Sequence, residues 1–98
     1  MEIEEIQKRI VEVAKLRQNK KGYTISEELS TIHLMEELGE IASQLFNKQA
    51  RPDKFNRENL KEEVCDVILE SMILADILNI DLSKELNDKI EKLMEKYR

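Results

Sequence analysis

Tryptophan is absent, and the 98 residues include only one cysteine, one proline, two glycines and four aromatics. Each scarcity removes a class of fold. A single cysteine rules out an intramolecular disulfide framework and fits a reducing compartment. So few turn-forming and aromatic residues argue against a sheet, which needs frequent turns and a pleated face of β-branched or aromatic side chains. No uninterrupted apolar run is long enough to span a bilayer, and no charged-then-apolar leader opens the sequence. A cytoplasmic protein with no membrane association is therefore expected. Basic excess is missing as well. The net charge is −5, so no nucleic-acid polymer is expected as a partner, and any polyanion must be met through a metal or a local basic cluster.

What is present is charge and helical periodicity. Charged residues make up 38% and apolar ones 41%, a balance suited to amphipathic helices. The length implies one domain spanning residues 1–98, all-α, with four helices. A chain of this size buries only about two-thirds of its unfolded surface, so completion of the bundle by oligomerisation is expected.

The first helix is expected over Glu2–Arg17, where Ile3, Ile6, Ile10 and Val13 form one stripe. A break follows at Gln18–Tyr23. The second helix starts near Thr24 or Ser26, with Thr24 and Glu27 spaced as a capping box, and ends near Asn47. Its apolar face is Leu34, Met35, Leu38, Ile41, Ala42 and Leu45. A loop from Lys48 to Asn56 leads to a third helix over Arg57–Asn79, capped by Asn56. Asp81 caps a fourth helix striped by Leu82, Leu86, Ile90, Leu93 and Met94.

Two acidic groups stand out. Glu37 and Glu40 share a face of the second helix, one turn apart, and Glu63 and Asp66 do the same on the third. If these helices pack together, four carboxylates converge. Oxygen-only ligation of that kind suits Mg2+ or Mn2+. A solvated acidic face is the alternative for either group alone. On the third helix, however, Glu63, Asp66 and Glu70 fall on a line that continues as Ile73, Leu74 and Ile77, unlike a water-facing edge. Carboxylates buried there would require a cation. Gly39, which costs about 1 kcal/mol against alanine inside a helix, suggests close approach of a neighbouring helix.

Glu36-Glu37-x-x-Glu40, a spacer over residues 41–62, and Glu63-x-x-Asp66 together resemble the signature of the MazG-type nucleotide pyrophosphohydrolases. These belong to an all-α NTP-pyrophosphatase superfamily that includes dimeric dUTPases and phosphoribosyl-ATP pyrophosphohydrolase. The resemblance extends over about Thr24–Tyr97. It implies a MazG-like bundle assembled as a homodimer or homotetramer, and Mg2+-dependent hydrolysis of a nucleoside triphosphate to the monophosphate and pyrophosphate, as in nucleotide-pool cleansing. By motif position it implies Glu37, Glu40, Glu63 and Asp66 as metal ligands, with Glu36 in an outer or second-ion role. It also implies Lys89 and Lys96 as phosphate contacts on the last helix. Leu93 stands where relatives often carry Asn, and Arg98 where they carry Pro. The tryptophans that stack the base in some relatives are absent.

Other residues carry weaker expectations. Lys48, Arg51 and Lys54 are either phosphate contacts or a solvated basic loop. His33, one turn before Glu37, is read as structural or exposed unless it neighbours the site. Cys65 projects away from Glu63 and Asp66 and is expected in the core; Met35, Met72 and Met94 fall on apolar stripes and are expected to be packing residues. Tyr23 and Phe46 either stack a base or pack. Three rival readings remain. A di-iron bundle lacks the Glu-x-x-His pairs it needs. A non-catalytic helical interaction module of the same fold and a related pyrophosphatase acting on dUTP or phosphoribosyl-ATP are the other two.

Overall fold

The helix boundaries follow from where backbone groups find partners. The computed structural model describes residues 2–98: α1 (Ile3–Lys21), α2 (Glu27–Ala50), a single 3-10 turn (Pro52–Lys54), α3 (Arg57–Ile77) and α4 (Leu82–Tyr97), with no strand among them. The all-α expectation holds. No helix is long and apolar enough to cross a membrane.

α1 continues a turn beyond Arg17 because the residues at its end suit a helix terminus. Lys20 and Lys21 lie where positive charge favours the dipole, and Glu4 and Glu5 occupy the opposite end. Gly22 then stops the helix at φ 73°, donating its N–H to the Gln18 carbonyl at 2.8 Å.

The cap of α2 is Ser26, whose Oγ accepts from the Leu29 N–H at 3.1 Å, and not the predicted Thr24–Glu27 box. Ile25 explains the shift. It is buried against Ala14 and Ile73, and its N–H is held by the Gln18 side chain, so the chain stays extended until Ser26.

α2 also outlasts its expected end, reaching Ala50 before Pro52 forces the chain out of helix. Asn56 caps α3 as expected, with its Oδ1 accepting from the Asn59 N–H. Its own N–H donates to Gln44 Oε1 at 2.9 Å, tying the turn back onto α2. α3 ends two residues early, at Ile77. The Ile80 N–H returns to the Ala75 carbonyl and the Asn79 N–H to that of Asp76, with Asn79 at φ 57°. This is a Schellman closure with asparagine in the left-handed position. Asp81 caps α4.

α2 and α3 form the main antiparallel pair, α1 lies across α3, and α4 packs chiefly on α1. Gln7 Nε2 pins α1 to α3 through the Met72 carbonyl at 3.0 Å. The core is small: Ala14, Ile25, Met72, Ile73 and Ala75 are buried, with Ile10, Tyr23 and Ile77 packed around the first two and Ile73. Tyr23 is thus a packing residue.

Much of the apolar patterning is not covered within one chain. Leu38, Leu45 and Phe46 on α2 and Leu86, Ile90, Leu93 and Met94 on α4 are at least two-fifths exposed. The radius of gyration is 16.0 Å, against about 13 Å for a compact chain of this length. Met72 is core, whereas Met35 and Met94 are not. Cys65 is exposed, against expectation. The space beside Gly39 is open too, so no helix of the same chain requires a glycine there.

Candidate metal centre

α2 and α3 bring their acidic turns face to face. Glu37 from α2 and Glu63 and Asp66 from α3 each offer a carboxylate oxygen, and the three oxygens lie within 4.8 Å of one another. The Gln44–Asn56 tie helps set this register. Glu37 and Glu63 are half-buried, and Asp66 stands at the open rim. Glu40, one turn beyond Glu37, is exposed but remains within hydrogen-bonding range of Glu63.

The electrostatics of this cluster are unfavourable for an ion-free site. The Glu37–Glu63 contact holds the Glu63 carboxyl above its ordinary pKa; desolvation and the charges of Glu37 and Asp66 push the same way, against the contact with Glu40. Glu40 is raised first by its contact with Glu63, then by desolvation and by the charges of Glu63 and Asp66. At Glu37 the contact with Glu63 lowers the pKa, but desolvation and the charges of Glu40 and Asp66 outweigh it, and the net shift is upward. Two carboxylates at such range need either a shared proton or a cation. One oxygen each of Glu37 and Glu63 is shut off from solvent without a hydrogen-bond partner. Buried anionic oxygens without donors are costly, and an all-oxygen set of this kind fits a hard divalent ion.

One turn deeper the problem is solved differently. Glu70 is only 6% exposed. Its Oε1 accepts from the Ser30 hydroxyl at 3.2 Å and lies 3.4 Å from His33 Nδ1, and its Oε2 lies 3.6 Å from Arg17 Nη2. Along α3 the acidic line therefore runs from half-buried Glu63 past exposed Asp66 to a buried carboxylate whose cation is an arginine of α1. His33 belongs to this inner network.

Arg17 and Ser30 were not singled out by sequence reasoning. A signal existed for the first: Arg17 occupies the next position of the Ile10–Val13 stripe, where a charged residue is out of place. Nothing local marks Ser30. A cleft of about 250 Å3 joins the two levels, lined by Glu37, Asp66, Arg17 and Glu70 together with apolar Ile10 and Ile73.

The remaining predicted residues lie elsewhere in the chain. Glu36 is exposed and its oxygens are not part of the three-oxygen group. Lys48 sits roughly 12 Å beyond Glu40 along α2, with its ammonium 5.7 Å from the Phe55 ring centre. Arg51 covers Phe46 at 5.5 Å, and Lys54 is exposed. Lys89 and Lys96 are on α4, which packs chiefly on α1 and not on the pair that carries the cluster; Lys96 lies 5.3 Å from the Tyr97 ring centre.

A family model described as the MazG nucleotide pyrophosphohydrolase domain matches residues 25–98, which covers both acidic turns and leaves α1 outside. No curated protein matches the chain.

Proposed function

Because the chain belongs to the MazG nucleotide pyrophosphohydrolase family, we propose that it hydrolyses a nucleoside triphosphate to the monophosphate and pyrophosphate at the α2–α3 carboxylate cluster, with Mg2+ or Mn2+ as cofactor. The observation that carries this reading is the meeting of Glu37, Glu63 and Asp66 oxygens within 4.8 Å, with one oxygen each of Glu37 and Glu63 buried and lacking a donor.

In this reading Glu37, Glu40, Glu63 and Asp66 hold the metal, and Glu36 serves as an outer group at the open side. Held there, a divalent ion would supply charge neutralisation at the phosphate oxygens and a lowered pKa for the attacking water. The protein's own residues do the rest. They fix the reacting groups in place, which is most of what phosphoryl chemistry needs. A carboxylate of the cluster would accept the proton lost by water.

The working form is a homodimer or homotetramer, supported by the uncovered stripes of α2 and α4. In such an assembly a neighbouring chain's α4 supplies Lys89 and Lys96 to the phosphates, with Lys48 and Arg51 as further candidates. The whole chain acts as one domain. A reducing cytoplasm suits the exposed, unpaired Cys65.

The test is pyrophosphate release over a panel of ordinary and modified nucleotides with Mg2+. We expect turnover of at least one, falling by about 10²–10³-fold in Glu63→Gln and Asp66→Asn while the helical circular dichroism is kept. Absence of turnover across the panel, together with no Mg2+-dependent thermal shift, would leave the non-catalytic module as the correct reading.

A further inference from the structure

The part of the site that lies outside the family-matched segment is the α1 wall of the cleft, and its one charged group is Arg17. Its Nε and Nη2 are closed off from solvent and meet no acceptor within hydrogen-bond distance. Glu70 balances its charge from 3.6 Å but is too far to take up either N–H as a hydrogen bond. Glu70 already has Ser30 and His33 as neighbours. Burying donors without acceptors is costly, and Nε with Nη2 is the edge of a guanidinium that grips two adjacent acceptors at once.

The surroundings say which end of a nucleotide would use that edge. The Arg17–Glu70 pair is neutral overall, so Arg17 offers no net positive charge to draw a phosphate to this wall of the cleft. Ile10, Val13, Leu69 and Ile73 supply flat apolar walls instead. The volume, about 250 Å3, is just below the roughly 300 Å3 of the smallest whole-ligand pockets, which is room for a ring system. Resting on the reading of the cluster as a nucleotide site, we propose that Arg17 is a specificity-determining residue. Its Nε–H and Nη2–H select bases that present two neighbouring acceptors. Guanine does so at O6 and N7 and cytosine at O2 and N3, whereas adenine and uracil alternate donors with acceptors along their edges.

The decisive measurement avoids both metal and turnover. Guanosine, cytidine, adenosine and uridine, without phosphate and in the presence of a chelator, are titrated into the full chain. Binding is followed by the methyl NMR signals of Ile10, Val13 and Ile73. In the wild type, guanosine and cytidine should bind about tenfold tighter than adenosine and uridine, the value of a charged hydrogen bond. Arg17→Lys keeps a cation beside Glu70 and thus the fold, but loses the paired donors, so the preference should collapse to within about twofold. The proposal is overturned if the wild type shows no preference or no shift at these methyls. It is equally overturned if Arg17→Lys keeps the ranking, or if it weakens all four alike with a lowered Tm, as a purely structural clamp would. Failure of pyrophosphate release across the nucleotide panel would instead overturn the catalytic reading, and leaves the nucleoside ranking to be judged on its own.

Discussion

The α2–α3 pair and the α4 helix are opposite solutions to the same sequence problem. α3 has little amphipathic character, since its second half is apolar on several sides, and it holds most of the buried core: Glu70, Met72, Ile73 and Ala75. α4 has a clean apolar stripe and buries no residue at all. Hydrophobic patterning therefore does not tell which helix sits at the centre of a chain. It tells only that a helix has an apolar face; that of α3 is covered within the chain, and that of α4 is largely exposed.

That contrast breaks first at α4. Leu86→Asp with Ile90→Asp should convert the wild-type assembly to a monomer by light scattering. Leu86 and Ile90 are about half exposed, so covering the remainder of each would be worth about 1 kcal/mol. A wild type that is monomeric at all concentrations, or a variant that keeps its oligomeric mass, would mean that the stripe covers nothing.

Next comes the acidic pair. Glu37, Glu40 and Glu63 hold protons more tightly in the folded chain than their ordinary value of 4.5 allows when unfolded. Below that value all are neutral in both states and no stability is lost. As pH rises above it the unfolded chain gives up protons first, so stability from these groups is lost as pH climbs through their raised folded values. Metal-free protein should accordingly show Tm falling as pH rises from about 4.5 toward neutrality, and saturating Mg2+ should flatten or reverse that slope. A Tm that rises over this range in chelator, as for salt-bridged carboxylates, would count against the electrostatics described.

The smallest effect sharpens the picture of α2. Gly39 has open space beside it, so Gly39→Ala should stabilise an isolated chain by about 1 kcal/mol in urea unfolding. If instead the variant lowers the oligomeric mass, the glycine marks a close helix contact between chains, and the α2 face joins α4 as an interface.

Much of this could be read from the residues. Asn56 and Asp81 are helix starts by chemistry alone, and the Glu37/Glu40 and Glu63/Asp66 spacings place carboxylates on helix faces before any packing is known. The structure brings three of those four within one ion's reach and leaves Glu40 on the rim. What could not be read depends on how helices lie across one another. Ile25 moves the α2 cap from Thr24 to Ser26 because it reaches Ala14 on one helix and Ile73 on another. Ser30 and Arg17 meet Glu70 from two different helices. Cys65 was expected in the core and Met35 and Met94 as packing residues, yet all three are exposed, because apolar character in a sequence does not say which side of a helix its neighbours cover.

The closure at the end of α3 has a consequence for encounter. Three peptide groups, held by the Ile80–Ala75 and Asn79–Asp76 bonds, set the direction in which α4 departs, and the Asp81 cap starts it as a helix at once. Glu4 of α1 meets Ser83 near the start of α4, a contact that helps lower the Glu4 pKa. With its start fixed by bonds inside the chain, α4 is ordered at folding, so a partner that docked on its apolar stripe would bear little of that ordering cost.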